Sequence, residues 1–237
     1  SNVIRINTTS HLHCDDYIDP QMYEKLAAAL PDDSSIAFCD LMEDFGDSMR
    51  EAKTVDVFPD RLDTLKSLIM SGIGTGCANM MIGRRLMEEL RFPEHTSRGE
   101  DYWVSLRLFI SARNIGKVDE PLYYYVKSNA ESLTHSASYE SLMDEAGSLE
   151  ENRRFLEYSG LYESLRREWN WSVLRYKSAF VMSPKLFGNY RNLFPEANAY
   201  VGDCPLLSSR IKLLMKMLDR HLDFMVRLVL QVYGKSN

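Results

Sequence analysis

Two groups of carboxylates lie far apart in this chain. Arg98-Gly99-Glu100-Asp101-Tyr102 sets an acidic couple directly after a glycine, and Glu120-Pro121-Leu122-Tyr123-Tyr124-Tyr125 follows with a strand-like aromatic run. Upstream, His13-Cys14-Asp15-Asp16-Tyr17-Ile18-Asp19 holds a second acidic cluster. These residue types suit displacement of an anionic leaving group by a hydroxyl. A carboxylate in hydrogen-bond reach takes the proton of the attacking alcohol. A hard cation on oxygen ligands, or fixed positive side chains, takes up the charge that grows on the leaving group.

Asp101 is the candidate general base, with Glu100 beside it. Partial burial next to Tyr102 and Trp103 is expected to raise its pKa. The same couple also reads as first-turn acids that favour the helix dipole. Asp15 and Asp16 are neighbours, so on a strand they point opposite ways and one of them faces a metal. His13 lies two before Asp15, on the same side of an extended segment, and His-x-Asp is a reasonable metal grip. The plainer reading of that cluster is a helix cap and a solvated loop. Arg98 can hold one acid or meet a phosphate. His135, after Ser132-Leu133-Thr134, is a phosphate or metal contact or a simple loop histidine. The three tyrosines are core rings or a platform for the face of a sugar.

These residues need a scaffold. The chain has 237 residues, 45% hydrophobic and 26% charged, which fits a globular protein of one large domain or one domain with an appendage. A net charge of -6 argues against a broad nucleic-acid footprint. Cys14, Cys39, Cys77 and Cys204 form no C-x-x-C pair, so zinc is not expected and a reducing compartment is. No run of eighteen apolar residues predicts a spanning helix, and no secretory signal is visible. The Ser1-Asn2 opening, without a methionine, is expected to follow other sequence in the natural protein.

Alternation predicts an edge strand over 3–6 and a short strand over 55–58, and a continuous apolar run a buried strand over 36–39. Residues 41–47 read as a hairpin or loop. Asp19-Pro20 opens a helix that stops at Pro31, and a second helix covers 60–70. The three glycines of 71–76 make a flexible connection or a loop over substrate, without a phosphate-loop signature. A strand at 80–82, a short helix at 84–90, a strong helix over 100–112 and strands at 115–118 and 122–126 follow. Beyond residue 137 the texture becomes helical: 139–158, 160–181 and 208–233, with Trp169 and Trp171 serving that core. The expected organisation is an α/β domain over 1–137 and a helical region over 138–237. In the last helix Ile211, Leu214, Met215, Leu218, Leu222, Met225, Leu228 and Val229 recur at helical spacing. Arg210, Lys212, Lys216, Arg220 and Arg227 there outnumber Asp219 and Asp223. This is a helix packed on the body or one lying on an anionic lipid surface.

Taken in order, the segments of residues 11–137 resemble the second half of a family 2 glycosyltransferase of the GT-A type. His11-Leu12-His13-Cys14-Asp15-Asp16-Tyr17-Ile18-Asp19-Pro20 occupies the place of the family's Asp-x-Asp-Asp-Tyr/Trp-Ile strand end. Arg98-Gly99-Glu100-Asp101 resembles its Glu-Asp motif, and Pro121-Leu122-Tyr123-Tyr124-Tyr125 with Ser132-Leu133-Thr134-His135 the strand and loop after it. Asn79 sits where many members carry Trp-Asn-Lys. The resemblance implies a partial GT-A (Rossmann-like) mixed sheet flanked by helices. It implies an inverting transfer from a nucleotide-diphosphate sugar to a glycan or lipid-linked acceptor in bacterial surface polysaccharide synthesis. Asp101 would be the base, Asp15 and His13 the ligands of Mg²⁺ or Mn²⁺, and Arg98 and His135 contacts to the donor. The protein would be cytoplasmic, or peripheral on the inner membrane face through residues 208–233. Three departures stand out. His13 replaces the first metal-motif aspartate, Met80 and Val126 replace usual cations, and the half that grips the nucleotide base is missing before His11. The rival reading is a carbohydrate-binding or assembly module that kept the fold without turnover.

Overall fold

The computed structural model describes residues 16–71, 77–90, 99–127 and 138–234. Its centre is strand β2 (Ile36–Asp44), where Ile36-Ala37-Phe38-Cys39 supplies apolar side chains to both faces of a sheet. Among the described residues, five strands make that sheet. With β1 as Tyr17–Ile18, β3 as Met49–Ala52, β4 as Met80–Ile82 and β5 as Ile115–Val126, the order is β1-β5-β2-β3, and β4 also pairs with β2. β5 runs parallel to β2, while β1, β3 and β4 pair antiparallel with their neighbours. The sheet is therefore mixed, as the expected fold class requires.

Helix α1 (Met22–Ala29) covers one face. Met22, Leu26 and Leu30 pack there with Ala37, Cys39, Leu41, Leu122 and Tyr123. Gly116 permits this approach, because a Cβ there would sit 2.2 Å from the carbonyl oxygen of Ala29. The alternate residues serve the other face, where Phe38 meets Phe109 with ring centroids 5.4 Å apart. Phe109 belongs to α4 (Glu100–Ser111), which packs with α2 (Arg61–Met70); α3 (Arg84–Glu89) follows β4.

One local expectation holds and three change. The 41–47 segment is a hairpin: β2 runs to Asp44 and pairs antiparallel with β3, and the turn falls at Phe45–Ser48, closed by Phe45 N–H on the Ser48 carbonyl at 2.9 Å. Residues 55–58 form no strand. The Asp56 N–H donates to Ser67 Oγ and the Phe58 N–H to Thr64 Oγ1, both at 2.9 Å, so α2 side chains take donors that a ladder would use. Residues 115–118 and 122–126 are one strand with a register shift opposite Asp40 and Pro121, a bulge that accommodates a residue without an N–H. Asp19 does not cap α1 directly. Its carboxylate accepts from the Gln21 N–H at 2.8 Å and shapes the turn before the helix.

Compact units part between Tyr158 and Ser159, later than the change of texture near residue 137. The reason is α5 (Tyr139–Tyr158), which packs on α4. The second unit is helical: α6 (Tyr162–Val181), α7 (Phe187–Asn192), α8 (Ser209–Asp219) and α9 (Asp223–Gly234). Trp169 is buried in it, whereas Trp171 is half-buried and donates its Nε1–H to Asp203 at 3.4 Å. Lys177 is wholly enclosed. Its Nζ donates to the Phe194 carbonyl at 3.0 Å and to Asn198 Oδ1 at 2.6 Å, 4.7 Å from the Tyr190 ring centroid. Burial pushes its pKa down to about 8 against the opposing pull of Asp219 and Glu196.

The expected 208–233 helix is two helices. His221 takes a φ of 57°, its N–H donates to the Leu218 carbonyl at 3.0 Å, and the Leu222 N–H reaches back to Met217 at 2.9 Å. That pattern ends a helix in a left-handed residue, a role usually filled by glycine. Among the described residues, no helix is long and apolar enough to cross a membrane.

Candidate active site

The acidic couple rides on the first turn of α4. Gly99 precedes it with a φ of 87°, a conformation that suits glycine, and a Cβ there would lie 3.3 Å from Ser148 Cβ of α5. The Gly99 carbonyl accepts the Trp103 N–H at 2.9 Å, which starts the helix. One turn on, Trp103 Nε1–H donates to Glu151 at 2.8 Å. The Arg107 guanidinium lies 3.4 Å from the Trp103 ring centroid and 4.5 Å from that of Phe155. It donates to Asn152 Oδ1 at 2.7 Å and to the Trp103 carbonyl at 3.0 Å. Burial lowers its pKa to about 10, with Glu151 opposing, so it keeps its charge at neutral pH. A cation clasped by two rings and an amide fixes α4 against α5 and thereby fixes where the acids stand.

Glu100 is half-buried and Asp101 is exposed. The expected partial burial of Asp101 is not found, because the apolar side of this helix begins with Tyr102 and Trp103 and the second helical position faces water. Its position is informative through the groups around it. Tyr123 on β5 is buried, and its pKa is raised by burial, then by the bond and charge of Asp16, then by the charges of Asp101 and Tyr125. Cys77, in the short 3-10 turn Cys77–Asn79, is pushed up to about 12 by burial, then by Asp101 and Glu100. One neighbourhood thus joins β1, β5, the turn before β4 and the mouth of α4. Its phenol and thiol both stay protonated at neutral pH, and the carboxylates at its edge are its basic groups.

Asp16 has a definite task. Its Oδ2 accepts the Tyr123 hydroxyl at 2.5 Å and its Oδ1 accepts the Val126 N–H at 2.9 Å. Both oxygens are engaged with β5, which leaves Asp16 as a strand anchor. Among the described residues, no three His, Cys, Asp or Glu side chains gather as a metal site. The expected ligands His13 and Asp15 lie outside the described residues, as do Arg98, His135 and the loop 72–76.

The tyrosine run divides as a strand must. Tyr123 goes inward, while Tyr124 faces the opposite side and stacks on Tyr17, with centroids 4.5 Å apart and planes at 12°. The Tyr17 hydroxyl donates to Asp44 Oδ2 at 2.9 Å, and Tyr17 stays exposed. Tyr125 is half-buried with Lys127 Nζ 4.8 Å from its centroid. Sequence reasoning missed the Tyr17–Tyr124–Asp44 set. Its available signal was the period of two, which puts Tyr124 alone of the three on that face.

No family model matches the chain. It is 25% identical over 241 aligned positions to the protein named "Putative glycosyltransferase EpsH" of Bacillus subtilis (strain 168), an alignment covering 89% of this chain and 67% of that one. Among solved structures, S. aureus TarS 1-349 in complex with UDP-GlcNAc is similar at 15% identity and a TM-score of 0.48, over 94% of this chain and 66% of that one. The chain spans about two thirds of the length of each. The resemblance read from the motifs is thus shared by a relative whose name is that of a glycosyltransferase. A match over 89% of the chain cannot be confined to residues 11–137, so it takes in much of the helical region as well.

Proposed function

We propose that this chain, a relative of glycosyltransferases, transfers a sugar from a nucleotide-diphosphate donor to a hydroxyl acceptor with inversion. The observation that carries the reading is the position of Asp101: exposed on a helix start clamped by Arg107, with its charge felt at both Tyr123 and Cys77. The Asp101 carboxylate takes the acceptor's proton as the acceptor oxygen bonds to the anomeric carbon. The bond from that carbon to the diphosphate oxygen breaks on the far side, the electron pair leaves with the diphosphate, and configuration inverts. Asp15, with His13, would hold Mg²⁺ or Mn²⁺, which supplies charge neutralisation for the diphosphate when bound. Arg98 and His135 are second positions for phosphate. The acceptor is a glycan or a lipid-linked glycan of the bacterial surface, met on the cytoplasmic side.

The test is calorimetry of sugar nucleotides with Mn²⁺, paired with a transfer assay. Asp15→Ala should abolish metal-dependent donor binding. Asp101→Asn should remove transfer and leave donor binding nearly intact. Unchanged turnover in Asp101→Asn ends its assignment as base, and donor binding indifferent to metal and to Asp15→Ala points to a binding module.

A further inference from the structure

The second unit ends in a helix that is apolar on both its inner and its outer face. On α9 Val226 is wholly buried, with Val229 and Leu230 half-buried on the same side. Across the helix from it, Phe224 is 72% exposed, Val232 66%, Met225 49% and Leu228 45%. At about 100° per residue these four fall within one arc of roughly a quarter turn. The polar residues Asp223, Arg227 and Gln231, spaced by four, line one edge of that arc. A helix on a water-facing surface carries polar residues on its outer face. The neighbouring α8 does so. Leu214, Met215, Met217 and Leu218 are buried there, and Arg210, Lys216 and Arg220 stand in solvent.

Charge decides what covers the apolar arc. The chain carries -6 overall, but around α9 the balance is positive. Lys185, Arg220 and Arg227 are exposed there. Arg227 leans over the Phe187 ring at 5.5 Å and donates to the Pro184 carbonyl at 3.4 Å, which brings the Lys185 turn beside the helix. The acids nearby are engaged: Asp223 by Arg191, and Asp219 by the Tyr190 hydroxyl at 3.0 Å and by Asn198 at 2.9 Å. We propose that this face of α9 lies in the plane of an anionic phospholipid bilayer, with Phe224, Met225, Leu228 and Val232 entering the interface and Lys185, Arg220 and Arg227 at headgroup level. At 12 residues the helix is too short to span, since spanning takes about 20. A second copy fits less well. Four side chains offer roughly a few hundred Å², against about 800 Å² per partner in a stable interface. The inference stands independently of the transferase reading.

The experiment is vesicle flotation of the full chain at low salt. Phosphatidylcholine vesicles and vesicles with about one third phosphatidylglycerol are the two surfaces. The chain should float with the anionic vesicles and at least about tenfold less with the neutral ones. The double variant Phe224→Ser, Leu228→Ser should lose about tenfold in bound fraction with an unchanged circular dichroism spectrum, because both side chains are exposed. Lys185→Glu with Arg220→Glu should lose binding to the anionic vesicles alone. Phe224→Trp should shift its emission to the blue on adding vesicles. No flotation of the unaltered chain overturns the proposal, as does equal flotation of the double variant. A dimer in light scattering that Phe224→Ser, Leu228→Ser converts to monomer, without flotation, assigns the face to a second copy instead.

Discussion

Asp40 and Glu43 on β2, and Glu100 and Asp101 on α4, are acids of one unit in opposite surroundings. Asp40 is buried. Its Oδ1 accepts the Thr54 N–H and hydroxyl, each at 2.9 Å, and its Oδ2 lies 3.3 Å from Lys117 Nζ. Glu43 is buried with Arg50 at 2.5 Å and Lys127 at 3.2 Å. Burial pulls the Glu43 pKa up, but the bonds from Arg50 and Lys127 outweigh it and hold it below the usual range. A carboxylate taken out of water must be given partners in this way, and its partners then tie β2 to β3 and β5. Glu100 is half-buried and Asp101 exposed instead, on a helix clamped further along at Trp103 and Arg107. Acids of the first kind hold strands together. Acids of the second kind stay accessible to a ligand.

The comparison predicts that the two sets exchange phenotypes. Asp101→Asn should lower the transfer rate by about 10³-fold, with the urea midpoint unchanged and donor affinity within about twofold. A shifted midpoint would class Asp101 with the structural acids. Asp40→Ala should do the reverse. It leaves the Thr54 N–H and hydroxyl without their acceptor and the Lys117 ammonium with only the exposed Asp119 at 3.0 Å, for a loss of about 3 kcal/mol in urea unfolding, while residual folded protein binds donor normally. A stable Asp40→Ala variant would show that the buried acid is not what joins these strands.

Lys177 extends the contrast to the second unit and to a cation. Its folded pKa of about 8 lies below the ordinary lysine value. Between pH 8 and that ordinary value the folded state has released the proton and the unfolded chain still holds it, so stability rises with pH in this window. Cys204 works the other way. Burial raises its thiol above its ordinary value, so the unfolded chain loses that proton first. The two are separated by comparing the unaltered chain with Lys177→Met in urea at pH 7.5 and 9.5. The unaltered chain should gain about 1 to 2 kcal/mol relative to the variant over that interval. Parallel curves would mean that Lys177 stays charged in its enclosure.

The sequence carried much of this, for identifiable reasons. A continuous apolar run marked the core of β2, and the 3.6-residue spacing with a glycine entry marked α4. The acids at 100–101 were placed correctly at a helix start, where they also favour the helix dipole. The hairpin over 41–47 was legible, but the buried state of Asp40 and Glu43 was not, because their partners Lys117 and Lys127 are far along the chain. The break at His221 was hidden because the apolar spacing runs through it and the left-handed residue is not glycine. Asp101 was expected to be half-buried from its aromatic neighbours, but helix geometry sends positions 101 and 102 in different directions. The Tyr123–Asp16 bond joins residues 107 apart, a pairing that no local pattern encodes.

That bond is the smallest expected effect and the sharpest probe of the border between the two kinds of acid. Asp16 is half-buried and fully engaged, like Asp40, yet it adjoins Asp15, the expected metal ligand. Tyr123→Phe keeps the ring in the core and removes only the hydroxyl. As a strand anchor alone, Asp16 still has the Val126 N–H, and the cost should be about 1 kcal/mol in urea with donor binding unaffected. If the bond also aims the segment that carries Asp15, Mn²⁺-dependent donor affinity should fall by about tenfold while kcat at saturation holds, the pattern of a group that orients a ligand from behind. We expect the second result. The phenol lies under the charges of both Asp16 and Asp101, so it stands between a strand-holding acid and the proposed base. A loss confined to stability would place Asp16 wholly with Asp40 and Glu43 and move the border outward to Asp15.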